Sequence, residues 1–211
     1  MTDYQLSKDT YVAVTQAGAY HAVANPGNDP SRQLLRTLLQ IDTSPLLSLE
    51  SLKEWTNSND ENGSLELLYH VQKLGWLEGL NEARRVPSGA LEDIVPNLLP
   101  ALSLDGKALL ADDQGFYISS KGFVHEAAEE LSALSADIAS LHDRHHGLLR
   151  NNLGLSTGAW ALIDAAGNSQ VGFWPLFVGD QRFVLVVGGV PSFNQPALAT
   201  LIWSLSTRYG K

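Results

Sequence analysis

Residues 125–149 read HEAAEELSALSADIASLHDRHHGLL, and this stretch decides the fold that the sequence predicts. Apolar residues recur in it at intervals of three and four, which places them on one side of an α-helix. They are Ala128, Leu131, Leu134, Ile138 and Leu141. Glutamates in the first turns and basic residues near the end both suit the helix dipole. Small residues at Ala133, Ala136 and Ser140 give the helix a second, smooth face that allows close packing.

Short apolar runs flank this helix, two before it and three after it. Their bounds are Lys107–Ala111, Phe116–Ser119, Ala159–Asp164, Gln170–Val178 and Arg182–Gly188. The connections contain Asp, Asn and Gly in combinations typical of hairpin turns, and strands joined by short turns are antiparallel. Two more helices, Leu91–Leu102 and Gln195–Tyr209, enclose this segment, and Pro96 and Pro100 are expected to interrupt the first. The sequence therefore predicts an α+β fold, a five-stranded antiparallel sheet with a long central helix and flanking helices.

The N-terminal part combines short strands and short helices. The apolar runs Tyr11–Val14 and Ala19–Val23 predict a hairpin or a bent strand. The next elements are three helices and a strand, at Arg32–Ile41, Leu49–Trp55, Leu65–Leu74 and Trp76–Leu80. The expected N-caps are Asp29 or Ser31, Ser48 and Ser64. This order of elements resembles a winged helix-turn-helix.

A polar segment that contains Pro and Gly, Asn81–Gly89, divides the two parts of the chain. We therefore expect two domains, a small winged-helix-like module at 1–86 and a larger α+β domain at 88–211. Few contacts are expected between these two units.

Residues 106–122, GKALLADDQGFYISSKG, look like the opening hairpin of the roadblock/dynein light-chain family. Residues 128–137, AEELSALSAD, are similar to the central helix of that family, and the resemblance spans roughly residues 88–210. It implies a homodimer or heterodimer in which sheets and central helices join across a two-fold axis. It also implies a non-enzymatic scaffold or regulator, often of small Ras-like GTPases, of dynein-type motors or of bacterial polarity and motility.

Composition narrows the class of protein. The chain has 211 residues, 44% of them hydrophobic, and a formal net charge of -9. This charge repels nucleic acid and anionic membranes at long range. The chain has no Cys, its start at Met1–Thr10 is polar, and no apolar run approaches the ~20 residues that span a bilayer. These features fit a cytoplasmic protein without a membrane segment.

Three motifs could carry chemistry, and each has a simpler interpretation. His142 and His146 lie four residues apart, a spacing that can chelate a metal, but no second His or Cys cluster supplies further ligands. The alternative is a helix end that lines an interface. Asp112 and Asp113 fit a hairpin turn, and the glycines at 188–189 lack the Lys-Ser or Lys-Thr of a phosphate loop. The sequence therefore predicts no enzyme, no metal and no cofactor.

Alternate residues of the run 170–178 point to opposite faces of a strand. One face must be core, and the other would present Trp174, Leu176 and Val178 to a partner unless a helix covers them. The full set of predicted dimer or partner contacts is Ala133, Ala136, Ser140, His142, His146, Trp174, Leu176 and Val178.

The favoured hypothesis is a dimeric, non-enzymatic scaffold of roadblock type that binds itself and a protein such as a small GTPase. The first alternative is a winged-helix DNA-binding transcription regulator that dimerises through its C-terminal domain. Residues 1–86 hold seven Lys and Arg against eleven Asp and Glu, a balance that disfavours binding to phosphate backbones. The second alternative is a small-molecule sensor with a pocket beside the sheet.

Overall fold

The computed structural model describes residues 6–7 and 9–210, so the start of the predicted unit 1–86 lies outside the described residues. The strands are β1 (Tyr11–Val14), β2 (Leu77–Leu80), β3 (Ala108–Ala111), β4 (Tyr117–Lys121), β5 (Trp160–Ile163), β6 (Ser169–Val178) and β7 (Gln181–Gly188). The helices are α1 (Gln16–Val23), α2 (Pro30–Leu39), α3 (Leu49–Thr56), α4 (Glu61–Lys73), α5 (Leu91–Leu98), α6 (His125–His146) and α7 (Pro196–Tyr209). Helix α5 continues through Pro96, contrary to the expected interruption there, and a 3₁₀ turn that contains Pro100, Leu99–Leu102, follows it. A π-helical segment, Gly147–Asn152, extends α6.

Strands β3 to β7 form one sheet in the order β4-β3-β7-β6-β5, and every neighbouring pair is antiparallel. The predicted α+β fold with a five-stranded antiparallel sheet is therefore confirmed. The long hairpin of β6 and β7 supplies the centre, and β5 and β4 are the two edges. Helix α6 packs on one face of the sheet. Helices α5 and α7 belong to the core on the other face, together with the N-terminal helices.

The side of α6 that faces the sheet matches the predicted apolar stripe in part, since Leu131 and Ile138 pack against the same cluster as buried Ala128. Its buried residues are Ala128, Ser132 and Ser135, while Leu134 is 40% exposed and Leu141 is 38% exposed. The sheet brings bulky side chains to this interface, including a buried phenylalanine and two buried valines of β6 and β7, so the helix contributes small ones. The two buried serines donate to carbonyls of their own helix at 2.7 Å, which satisfies their hydroxyls.

Helix α1 replaces the second strand expected at Ala19–Val23. Thr15 caps it, because the Thr15 hydroxyl accepts a hydrogen bond from the Gly18 amide at 3.2 Å. Two of the five residues in that run are alanines, which favour a helix once it is capped. The helix also lies close to β2, and a Cβ on Gly18 would approach the carbonyl oxygen of Trp76 to 2.2 Å.

Two of the expected N-caps are confirmed, and one is wrong. Asp29 accepts from the amide of Arg32 and Ser48 from the amide of Ser51, each at 3.0 Å. Ser64 is not a cap, since α4 begins at Glu61 and buries Ser64. The Ser64 hydroxyl shares a hydrogen bond of 2.9 Å with Thr56 at the end of α3, so it joins the two helices.

The N-terminal half packs directly on the C-terminal half. One continuous core contains buried residues of β1, α1 to α4, α5, the central strands and α7. Trp203 of α7 donates to the Ile41 carbonyl at 2.8 Å, and Gln40 donates to the Gly210 carbonyl. The expectation of few contacts between the two halves is therefore not met. The boundary at residues 81–89 and the winged-helix assignment stay predictions.

Gly18→Ala should destabilise the fold, because the new Cβ would meet the backbone carbonyl of Trp76 rather than a movable side chain. We expect a loss of about 1–3 kcal/mol in the free energy of unfolding, despite the better helix propensity of alanine. Urea melts followed by circular dichroism measure this. Gly147→Ala is the matched control, since the described part of the chain leaves free space there, and it should be neutral or slightly stabilising. Equal effects of the two substitutions would contradict the close approach.

His21 lies beside two arginines where α1 meets α2. Its ring stacks on Trp76 with centroids 3.8 Å apart, and its Nε2 atom is buried without a hydrogen-bond partner among the described residues. Arg32 and Arg36 donate from Nε to the carbonyls of His21 and Ala22 at the end of α1. Burial, followed by the charges of these arginines, holds the pKa of His21 below its ordinary value, although Asp29 opposes them.

Stability should consequently fall as the pH drops through the ordinary histidine value of 6.5. Below that pH the unfolded chain binds a proton at His21 that the folded chain resists, so the proton favours unfolding. His21→Phe keeps a ring on Trp76 and removes the titration. Urea melts between about pH 8 and pH 5 should show a smaller loss of stability for the variant than for the wild-type chain. An equal loss of stability in the variant and the wild-type chain would show that His21 does not contribute to the pH dependence.

Candidate functional site

The small-residue face of α6 contacts the chain's own hairpin. A Cβ on Gly115, in the turn between β3 and β4, would lie 3.2 Å from the Ala133 Cα and 3.3 Å from the Ala136 Cβ. Gly115 has a φ of 88°, so glycine suits both the turn and the contact. Ala133 and Ala136 therefore allow the hairpin to approach, whereas Ser140, one turn further, is exposed. The predicted approach of a second copy of the chain to this face stays a prediction.

The predicted row on β6 belongs to the core. Leu176 and Val178 are buried, and Trp174 is half-buried with its ring 5.0 Å from that of Phe193. Helices α1 and α7 cover this face of the strand. Leu176 and Val178 are therefore unavailable to a partner in this structure. The sequence left both outcomes open, because nothing in it showed that the N-terminal helices pack here.

His142 and His146 have different surroundings. Nδ1 of His142 accepts a hydrogen bond from the Trp160 indole at 3.2 Å, and the two rings meet edge to face. His146 is exposed. No group of three or more His, Cys, Asp or Glu suited to a metal ion occurs within residues 6–7 and 9–210. His142 marks the place where the end of α6 reaches β5.

Edge strand β5 is the most exposed apolar element of the sheet. Among the described residues it pairs with β6 alone, and Leu162 and Ile163 are 61% and 64% exposed. The contact of His142 with Trp160 brings α6 beside this edge. On α6 and its π-helical extension, exposed leucines recur every seven residues, at Leu134, Leu141 and Leu148. We call these five exposed residues, the three leucines with Leu162 and Ile163, the apolar edge surface.

The residues of the apolar edge surface were visible in the sequence, but their exposure was not. Leu134 and Leu141 were assigned to the core-facing stripe, which the serines occupy instead. The sequence signal for an exposed surface was the seven-residue leucine repeat, together with the apolar end of a predicted strand.

Asp112, the first of the two aspartates at the tip of the first hairpin, has the turn role that the sequence predicts. Asp112 Oδ1 accepts from the amides of Gln114 and Phe116 at 3.0 and 2.8 Å, which holds the turn. The corresponding Asp164 organises the turn between β5 and β6 in the same way, with its carboxylate accepting from the amides of Ala166 and Asn168. These hydrogen bonds lower the pKa of Asp164, the bond from Asn168 most strongly.

The solved structures that are similar to part of this chain include a Roadblock/LC7 domain and two MglB proteins. A Roadblock/LC7 domain from Streptomyces avermitilis is 16% identical, and the match covers 55% of this chain and 94% of that one, with a TM-score of 0.38. MglB from Myxococcus xanthus is 20% identical over 58% and 88% of the two chains, with a TM-score of 0.34. The gliding protein MglB from Thermus thermophilus is 17% identical over 59% and 91%, with a TM-score of 0.33.

No family model and no curated protein matches the sequence. The similarity to roadblock domains thus covers part of the chain. Within the described residues, no helix has the length and apolar character needed to cross a membrane.

Ala136→Leu should destabilise the fold through a clash with the hairpin at Gly115. Overpacking at such a contact costs about 1–3 kcal/mol in the free energy of unfolding. The control is Ser140→Leu, which places the same side chain on an exposed part of the same face and should change stability by less than about 0.5 kcal/mol. Chemical denaturation compares the two. A fully stable Ala136→Leu variant would place the hairpin further from α6.

Proposed function

We propose that this chain is a non-enzymatic regulatory scaffold of roadblock type that acts as a homodimer. The observation that carries the proposal is the apolar edge surface, where an edge strand with two exposed aliphatic side chains lies beside a leucine stripe. Sheet edges of this kind offer unpaired backbone groups to another strand, and stable proteins cover them. A second copy of the chain supplies a matching edge and a matching stripe.

A two-fold axis beside β5 accommodates both contacts at once. Two β5 strands can pair antiparallel and extend the sheet across the axis, which satisfies their free amides and carbonyls. The leucines of the two α6 helices then meet above the joined sheets and leave water together. This arrangement places the interface on Leu134, Leu141 and Leu148 instead of on Ala133 and Ala136.

The proposed partner is a small Ras-like GTPase or a component of a motility or polarity apparatus. The sequence resemblance of residues 88–210 to the roadblock family supports this choice. We place the protein in the cytoplasm, where such a partner would act. The transcription-regulator alternative gains nothing from the structure, since the exposed residues of α4 include Glu61 and Glu66 as well as Lys73.

Leu141→Glu and Leu162→Lys should each weaken the homodimer by at least tenfold in Kd. Each would bury an unpaired charge in the interface, which costs several kcal/mol, roughly. Sedimentation over a concentration series measures the association. Because both side chains are exposed in the single chain, the variants should keep the wild-type unfolding curve.

The matched control is Leu104→Glu, a leucine that is 71% exposed in the loop before β3 and away from this surface. It should leave the association unchanged. A wild-type chain that stays monomeric at high micromolar concentration would refute the homodimer. Equal weakening by Leu104→Glu would mean that the effect is not specific to the apolar edge surface.

Binding to a GTPase is tested with purified small Ras-like GTPases loaded with GDP or with a GTP analogue. A regulator should prefer one nucleotide state, since it must distinguish the two to act. If the chain binds neither nucleotide state of the GTPase, or binds both equally, the proposed GTPase partner is wrong.

A further inference from the structure

A cleft lies on the α6 side of the sheet, at the end where β6 and β7 turn. Its volume is about 160 Å³. One wall is the second half of α6, another is the loop at residues 155–158, and the segment Ala24–Pro26 after α1 closes the third side. Phe177 and its cross-strand neighbour Arg182 form the floor. The two halves of the chain thus build this cleft together.

The charge of the cleft is opposite to that of the protein. It is lined by Arg150, Arg182, His142 and His146, while the acid among its described lining residues is Asp143. The chain as a whole carries a formal charge of -9, so these basic groups make the cleft a local exception that attracts a small anion.

Two of these groups have hydrogen-bond donors to spare. Arg182 donates from one terminal nitrogen to Asp143 at 3.1 Å, and its Nε atom is buried without a partner among the described residues. The Trp160 indole donates to Nδ1 of His142, which leaves the proton of a neutral His142 on Nε2. That Nε2 lies 3.9 Å from the position of a Cβ on Gly158, so it reaches the loop wall of the cleft.

The remaining walls are apolar. Phe177 and Pro175 come from the sheet, and Leu149 and Leu155 come from the segment that follows α6. An inorganic anion uses only the basic groups, whereas a ligand that also has an apolar body uses the whole cleft.

We propose that this cleft binds a small organic carboxylate. Arg150, Arg182 and His142 hold the carboxylate, and the apolar body lies against Phe177 and Leu155. An arginine fork suits the two oxygens of a carboxylate, and a charged acceptor strengthens each bond. The pair of Arg182 with Asp143 does not oppose this, since the Asp143 side chain is largely exposed and such pairs are weak.

The test is an NMR titration of the full chain with benzoate, and with benzamide as the neutral molecule of the same shape. Benzoate should shift the amide signals of Asn25 and Gly158 saturably, with a Kd of about 1 mM or below. Benzamide should bind at least tenfold more weakly, because it lacks the charge. The cleft forms within one chain, so the result does not depend on the homodimer.

Arg150→Gln should weaken benzoate binding about tenfold, since it removes one charge-assisted contact from an exposed and tolerant position. Arg144→Gln is the control, an exposed arginine of α6 that does not line the cleft, and it should bind benzoate like the wild-type chain. Three outcomes would overturn the proposal: no saturable shift up to about 10 mM benzoate, equal affinity for benzamide, or equal effects of the two arginine variants. Inorganic phosphate that binds as tightly as benzoate would overturn the assignment to an organic ligand.

Discussion

The sheet at the centre of this protein is apolar on both faces, and the rest of the structure is arranged to keep water from both. The pairing of β3 with β7 sets Leu109 opposite Val186 and Leu110 opposite Leu185. Since neighbouring residues point to opposite faces, each of these two strands contributes large aliphatic side chains to two separate cores. Each core needs a cover, because every buried aliphatic side chain stabilises the fold by about 1.5–3 kcal/mol relative to exposure. Helix α6 brings small residues to the centre of this face, with Leu131 and Ile138 packed beside them, and its other leucines, Leu134 and Leu141, are exposed. The other face receives α5 and α7 together with the helices of the N-terminal half, which is consequently part of the sheet's own core.

Local patterns in the sequence predicted the elements of the sheet well. The hairpins β3–β4, β5–β6 and β6–β7 and the turn at Asp112–Gly115 follow from short-range chemistry, because hairpins are specified by a few neighbouring residues. The change to a 3₁₀ turn at Leu99–Leu102, which contains Pro100, and the cap at Asp29 are local for the same reason. The strand expected in place of helix α1 was wrong because an eight-residue helix carries little periodic signal, and its cap, Thr15, lay outside the run that was interpreted.

Surface properties were harder to predict, because exposure depends on which elements meet. Periodic leucines on a helix predict a core-facing side, but they do not show which side faces the sheet. In this structure the bulky side chains of Phe173 and its neighbours leave room for the small serines at the interface. Leu176 is the opposite case, since an apolar strand face is an interface or a core depending on whether a distant helix covers it. The cleft beside Arg182 depends on Ala24–Pro26, more than a hundred residues away in sequence.

The second half of α6 is a wall shared by the two surfaces to which a function is assigned. Leu141 and Leu148 lie on the side of the helix at the free sheet edge, while His146 and Arg150 lie on the side of the cleft. His142 stands between them, since its ring lines the cleft and is bonded to the first residue of β5. Because the two surfaces share α6 and its π-helical extension, the proposed ligand and the proposed second chain would contact opposite sides of the same segment.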